Sequence, residues 1–332
     1  MSFSHVNIKD THTFDWSLTN NNLVDTNLDA DDTTYIFDPS GLVPDFYKVV
    51  VEVTDSGVSS ETAQIEILLE VINAAPNLTS VDSDGDGIND DVESYGDSDS
   101  DGIADYKDND TLASHELQAY DNNTGNYIIR TDAGLSLRLG SVAFAAAADG
   151  ADVTLDEIAN FGGDEATAGP NPNDGVPNTG GYFDYEIWGL TQAGQSANLV
   201  IPQINPIPNG AIYRKYFSES GWSVFTTDAN NNLASAPGSP GVCPLPGDDA
   251  FTPGLTEGHY CIQLTIEDGG PNDTDRLQNY VIKDPGTLST PLTEDNTPVA
   301  GNSQSGGGQL SFYFILILLM GTYLKLRQGY RF

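Results

Sequence analysis

Basic side chains are scarce in this chain. Its 332 residues include 12 lysines and arginines against 49 aspartates and glutamates, a formal net charge of -37. A surface this acidic repels phosphate backbones and anionic headgroups, so nucleic acid is excluded as a partner. Histidine is sparse too: His5, His12, His115 and His259 are scattered, with no pair at metal-ligand spacing. There is no HExxH, no G-x-S-x-G, no phosphate-binding glycine loop and no cysteine–histidine pairing. Catalytic groups can be assembled in space, so these absences lower the expectation of an enzyme without closing the question. The opening MSFSHVNIKD has neither a basic start nor an apolar stretch, and no secretory leader is read there. The chain contains only two methionines. Its glycines, prolines and short polar residues suit an all-β chain rich in turns.

Cysteine is limited to Cys243 and Cys261, close together in one region. In an oxidising compartment they are expected to pair. Closing a loop of that length is worth about 3 kcal/mol in the chain-entropy account. The alternative is two buried thiols.

What the chain has in excess is aspartate, concentrated in DSDGDGINDDVESYGDSDSDGIADYKDND, Asp82 to Asp110. No apolar core can form in such a stretch, and its carboxylates repel one another unless a cation holds them. Numbered from Asp82, a twelve-residue loop has Asp82, Asp84 and Asp86 at its first, third and fifth positions. Gly87 is sixth, Ile88 seventh, Asp90 ninth and Glu93 twelfth. This is the ligand order of a calcium loop: alternating hard oxygens, a glycine at the sharp turn, a backbone carbonyl and a closing carboxylate. The order repeats in register with Asp97, Asp99, Asp101, Gly102, Ile103, Asp105 and Asp108. A solvated acidic spacer is the plainer alternative. The loops follow one another too closely for flanking helices. Over residues 81–110 the pattern resembles thrombospondin type 3 repeats, which implies Ca2+ wrapped with little other structure.

Before that run, Thr13–Ser17 reads as a short aromatic strand. FYKVVVEVTD (Phe46–Asp55) and AQIEILLEV (Ala63–Val71) read as a hairpin of period two about Ser56–Gly57. Residues 1–75 resemble a polycystic-kidney-disease-type or cadherin-like β-sandwich module of bacterial surface proteins. Against that family the first strand is missing, so the chain is expected to be the C-terminal part of a longer secreted protein. Trp16 is expected in its core.

After the run, residues 115–287 again read as all-β. The expected strands are Tyr127–Arg130, Leu135–Leu139, Tyr182–Trp188, Ala197–Ile201, Tyr213–Phe217, Trp222–Thr226, Cys261–Glu267 and Asn279–Ile282. The strings GGYFDYEIWGL, IYRKYFSESGW, SPGVCPLPGDDAFTPGL and CIQLTIEDGGPNDTDRLQNYVIKDPG resemble, in order, the choice-of-anchor U domain. That module precedes bacterial surface-anchoring signals and brings no catalytic residues. The chain departs from it at Arg276 and Tyr280, where the family has glycine, which puts the turn there in question. Oxygen donors at Glu267, Asp268, Asn272, Asp273, Asp275 and Asp284 suggest either a further cation site or, preferably, a structural turn. Arg214-Lys215, conspicuous in so acidic a domain, is expected to pair with neighbouring carboxylates rather than with an acidic ligand.

Residues 288–309 read as a flexible linker, and residues 310–332 as an anchor. The apolar run Leu310–Leu324 rises only about 22 Å as a helix, short of a ~30 Å hydrocarbon core, and Lys325, Arg327 and Arg331 follow it. The basic end belongs on the cytoplasmic side, leaving the acidic body outside. The order Gly306-Gly307-Gly308, short span and basic end resembles the GlyGly-CTERM sorting tail of Gram-negative bacteria. That implies removal of the span by a rhombosortase-type protease; a plain C-terminal transmembrane helix is the alternative. The expected architecture is therefore two β-sandwiches joined by a calcium-binding segment, followed by a membrane anchor. The expected function is a non-catalytic, calcium-binding cell-surface scaffold or adhesion stalk. The competing readings are the anchoring end of a secreted hydrolase, and a carbohydrate-binding module using Trp188 or Trp222.

Overall fold

The computed structural model describes residues 11–27, 32–57, 62–109, 114–120 and 127–291. The anchor with Gly306, Gly307 and Gly308 lies outside them. No described helix is long and apolar enough to cross a membrane.

Alternating apolar and polar side chains build the N-terminal part. β1 (His12–Asp15), β2 (Asp45–Asp55) and β3 (Thr62–Val71) form one antiparallel sheet in that order. His12 is opposite Asp55 and Asp45 opposite Val71. Trp16 packs 5.2 Å from Tyr35 and donates Nε1–H to the Asp32 carbonyl at 2.9 Å. The two layers expected of a sandwich are not formed among the described residues of this part. One face of the sheet instead meets the C-terminal body. Phe46 lies edge-on to Phe144 and Phe161, at 6.4 and 6.2 Å. Lys48 pairs with Asp164 at 3.0 Å, and Glu66 with Lys283 at 3.2 Å.

The C-terminal body is a sandwich. Its first sheet contains β6 (Ser136–Leu139), β7 (Asp152–Val153), β8 (Asn178–Trp188), β10 (Ile212–Phe217), β11 (Gly221–Val224) and β15 (Val281–Ser289). They run in the order β11-β10-β15-β8-β6, with β7 also on β8. The second contains β4 (Glu116–Gln118), β5 (Ile128–Thr131), β9 (Ser196–Pro202), β12 (Asn232–Ala236), β13 (Thr252–Pro253) and β14 (Cys261–Glu267), in the order β13-β12-β14-β9-β5-β4. Every described strand pair is antiparallel, so one face of each sheet can be apolar and the other wet. Phe183, Tyr185, Ile187, Tyr213, Ile282 and Leu288 of the first sheet share a buried core with Leu199, Ile201, Ile262, Leu264 and Ile266 of the second.

Three features depart from the sequence reading. First, β15 continues through Leu288 and Ser289, each 1% exposed, so the linker begins beyond them. The strand expected to end at Ile282 runs on, with Pro285 in the ladder opposite Asp184. Second, short helices interrupt the sandwich: α2 (Ser141–Ala145) and α3 (Leu155–Phe161). Thr154 and Glu157 form a capping box on α3, with Glu157 N–H donating to Thr154 Oγ1 at 3.2 Å and Thr154 N–H to Glu157 Oε2 at 2.6 Å. Third, the second half of the acidic run is fastened to the sandwich, through Ile103 in its core and Leu139 N–H donating to the Asp101 carbonyl. Cys243 and Cys261 do form a disulfide, which ties the loop after β12 to the start of β14.

Candidate metal centre

The two halves of the acidic run fold alike at their sixth and seventh positions and differ by one residue in the bond that precedes them. In the first loop Gly85 N–H donates to Asp82 Oδ1 at 2.8 Å and Gly87 N–H to Asp82 Oδ2 at 3.2 Å. Ile88 N–H donates to Asp86 Oδ1 at 2.7 Å. In the second, Asp101 N–H and Gly102 N–H reach the two oxygens of Asp97 at 3.1 and 3.2 Å, and Ile103 N–H reaches Asp101 Oδ1 at 2.7 Å. Gly87 and Gly102 have φ of 98° and 97°, a left-handed turn that favours glycine. The backbone thus curls around its own first aspartate and brings alternate carboxylates to one side. One oxygen from each of Asp82, Asp84 and Asp86 lies within 4.8 Å of the others, and the same holds for Asp97, Asp99 and Asp101. Each cluster can hold a metal ion.

The closing positions join the clusters. Glu93 ends α1 (Asp90–Glu93). Its Oε2 is buried without a hydrogen-bond partner. Burial, then the charges of Asp84, Asp86, Asp82 and Asp90, push its carboxyl up to about 7. Asp101 is 1% exposed and Asp108 2%. Burial first, then Asp108, Asp99 and Asp97, push Asp101 up to about 9. Carboxylates gathered at such electrostatic cost, and lacking a basic neighbour among these causes, fit a hard divalent cation.

The ninth positions hydrogen-bond within their own loops. Asp90 accepts from Ser83 N–H and Ser83 Oγ–H, both at 2.9 Å. Asp105 accepts from the same atoms of Ser98, at 2.7 and 2.9 Å. These aspartates staple the loop ends with both oxygens, and the signal for it is a serine one residue after the first aspartate of each loop, Ser83 and Ser98. The seventh positions differ between loops. Ile88 is 46% exposed, whereas Ile103 is 2% exposed and belongs to the sandwich core. The second loop is fastened further by Leu139 N–H donating to the Asp101 carbonyl at 2.7 Å, and by Lys107 pairing with Asp149. Tyr95 and Tyr106 meet edge to face at 6.2 Å, linking one loop to the other.

The further oxygen-rich cluster is a structural turn. Asp268, fully buried, accepts from Gly194, Asn279 and Tyr280 N–H at 2.9, 3.0 and 3.3 Å. Asp273 accepts from Gly269 and Lys283 N–H at 2.8 and 3.0 Å. Arg276 and Tyr280 have φ of 57° and 69°, so the two positions where glycine was expected adopt the conformation glycine favours. Arg214 pairs with Asp174 and Lys215 with Asp284, as expected of cations in an acidic domain. Both tryptophans proposed for sugar stacking have cationic or aromatic neighbours against their rings. Arg138 lies 4.4 Å over Trp188, and Trp222 is packed by Tyr182, Tyr216 and Arg214. Comparison with protein families, with curated proteins and with solved structures gives no match to this chain, so the reading of the site rests on its own geometry.

Proposed function

We propose that the chain is a calcium-binding, non-catalytic scaffold of the bacterial cell surface, in which one Ca2+ per loop fixes the N-terminal sheet to the anchor-proximal sandwich. The observation that carries this reading is the duplicated loop geometry, with three convergent aspartates in each copy, joined by the buried Oε2 of the half-buried Glu93 in the first and by the buried Asp108 in the second. Asp82, Asp84, Asp86, Glu93 and the Ile88 carbonyl would serve the first ion. Asp97, Asp99, Asp101, Asp108 and the Ile103 carbonyl would serve the second. Asp90 and Asp105 act by holding the loops closed. Oxygen-only donors that include several carboxylates suit calcium in preference to a softer metal. Millimolar extracellular calcium would keep even weak sites filled. The C-terminal residues 310–332 would attach the body to the membrane or present it for sorting by a rhombosortase-type protease.

Calorimetric titration of Ca2+ into the metal-stripped chain tests the metal assignment. One ion per loop is expected, with Asp86→Ala and Asp101→Ala each removing one. Absence of binding in the wild type at millimolar Ca2+ would overturn it.

A further inference from the structure

The sandwich core contains an amine and a carboxylic acid in contact. Lys215 is 1% exposed and Asp284 fully buried. They lie on adjacent antiparallel strands: Lys215 of β10 is opposite Gly286 of β15, and Asp284 is two residues away on the same face. Lys215 Nζ touches Asp284 Oδ2. Tyr185, opposite Asp284 on β8, donates its hydroxyl to that same oxygen. Gly286 leaves the space: a Cβ there would stand 2.6 Å from the Tyr213 hydroxyl and 2.7 Å from Asp284 Oδ1. All four side chains, Lys215, Asp284, Tyr185 and Tyr213, are at most 1% exposed.

From this arrangement we propose that Lys215 and Asp284 condense to a side-chain amide, a covalent cross-link between β10 and β15. Lys215 Nζ, as the free amine, attacks Asp284 Cγ; the C–N bond forms and the carbonyl electron pair moves onto oxygen. That pair returns as one Cγ–O bond breaks. The departing oxygen carries the acid's proton and one proton from Nζ, and leaves as water. No electrons change hands, so no oxidant, reductant or cofactor is required. Tyr185, hydrogen-bonded to Asp284 Oδ2, polarises the Cγ–Oδ2 carbonyl, and Oδ1 is the oxygen that departs as water.

Two physical conditions favour the step. Burial lowers the Lys215 ammonium and raises the Asp284 carboxyl, each against the opposing pull of its partner, so both drift towards the neutral forms that react. Fixing the two groups on neighbouring strands replaces a bimolecular encounter with an intramolecular one, in a site from which bulk water is excluded. The placement has a mechanical sense. β15 is the last described strand, so a pull transmitted from the C-terminal residues reaches it first. An amide to β10 would stop it from peeling away.

The test is mass spectrometry of the full chain, folded, then reduced, denatured and digested with trypsin. A cross-linked product is expected in which the fragment containing Lys215 is joined to the one beginning at Asp284. Its mass should be lower than the sum of the two by one water, with no cleavage after Lys215. Lys215→Arg should abolish it. Recovery of the wild type as two separate fragments, with Lys215 cleaved, would overturn the proposal and leave a buried ion pair. A linked product persisting in Lys215→Arg would show that a different amine is involved.

Discussion

Asp184 illustrates how a single buried carboxyl shapes this sandwich. It is 2% exposed, on the face of β8 opposite the core aromatics, and its Oδ2 accepts from Val142 and Ala143 N–H at 2.7 and 3.0 Å. It therefore caps α2 in trans. Burial above all raises its carboxyl well above the ordinary range, against the pull of those two N–H groups. A carboxyl raised in the folded state keeps a proton that the unfolded chain releases. Its contribution to stability is thus complete below the unfolded value and is lost as pH climbs towards the folded one. Asp184→Asn keeps an acceptor for the two N–H groups and cannot ionise. Thermal unfolding followed across pH should show the variant losing less stability than the wild type between acid and neutral pH; parallel profiles would contradict this. Such residues are hard to see in sequence. Asp184 sits in FDYEIW as one polar position of an alternating strand, and alternation assigns that face to solvent, whereas α2 and the loops around it cover it. Lys215 in IYRKYF was more legible, because an ammonium at an inward position of an apolar strand needs a partner. Its partner Asp284 was hidden because it lies beyond the expected end of the strand at Ile282.

At the scale of elements, the metal loops show what periodicity reveals and what it leaves out. The aspartate spacing was readable because it repeats in register independently of any core. The long strands β2, β3, β8, β9 and β14 were readable because one face of each is apolar. The short β4, β7, β12 and β13 and the helix α2 were not, since their conformation is set by neighbours across the sheet rather than by local preference. The same limit hid the unequal anchoring of the loops. Ile88 and Ile103 have equivalent places in the repeat, yet only Ile103 enters the sandwich core. Ile103→Ala should cost about 2–5 kcal/mol, the range for truncating a well-packed core side chain, and should weaken calcium binding in the second loop. Ile88→Ala should change stability by less than about 0.5 kcal/mol. Chemical denaturation of the two variants checks the difference; equal losses would mean that the loops are equally fastened.

For the whole molecule, the acidic segment is a wedge at a junction rather than a tether. The N-terminal sheet touches the sandwich directly through Phe46 and through the Lys48–Asp164 and Lys283–Glu66 pairs. Between them is a cavity of about 390 Å3, with Glu66, Glu186, Asp275 and Lys283 on its walls and Ser100 to Gly102 of the second loop at one side. Ion pairs that remain partly wet contribute little individually, so the aromatic contacts of Phe46, worth about 1–3 kcal/mol together, and, on the proposed calcium assignment, the acidic loops share the task of holding the parts together. On the proposed calcium assignment, removing the ions from a chain of net charge -37 leaves the loop carboxylates repelling one another, and residues 81–110 should become open to protease. The N-terminal sheet should nevertheless stay docked, because its own contacts survive. Release requires both supports to go. Small-angle scattering should therefore find the radius of gyration little changed by chelation alone or by Phe46→Ala alone, and clearly larger when the two are combined. If chelation by itself expands the molecule fully, the direct contacts carry no weight, and calcium is the only clasp between the two parts.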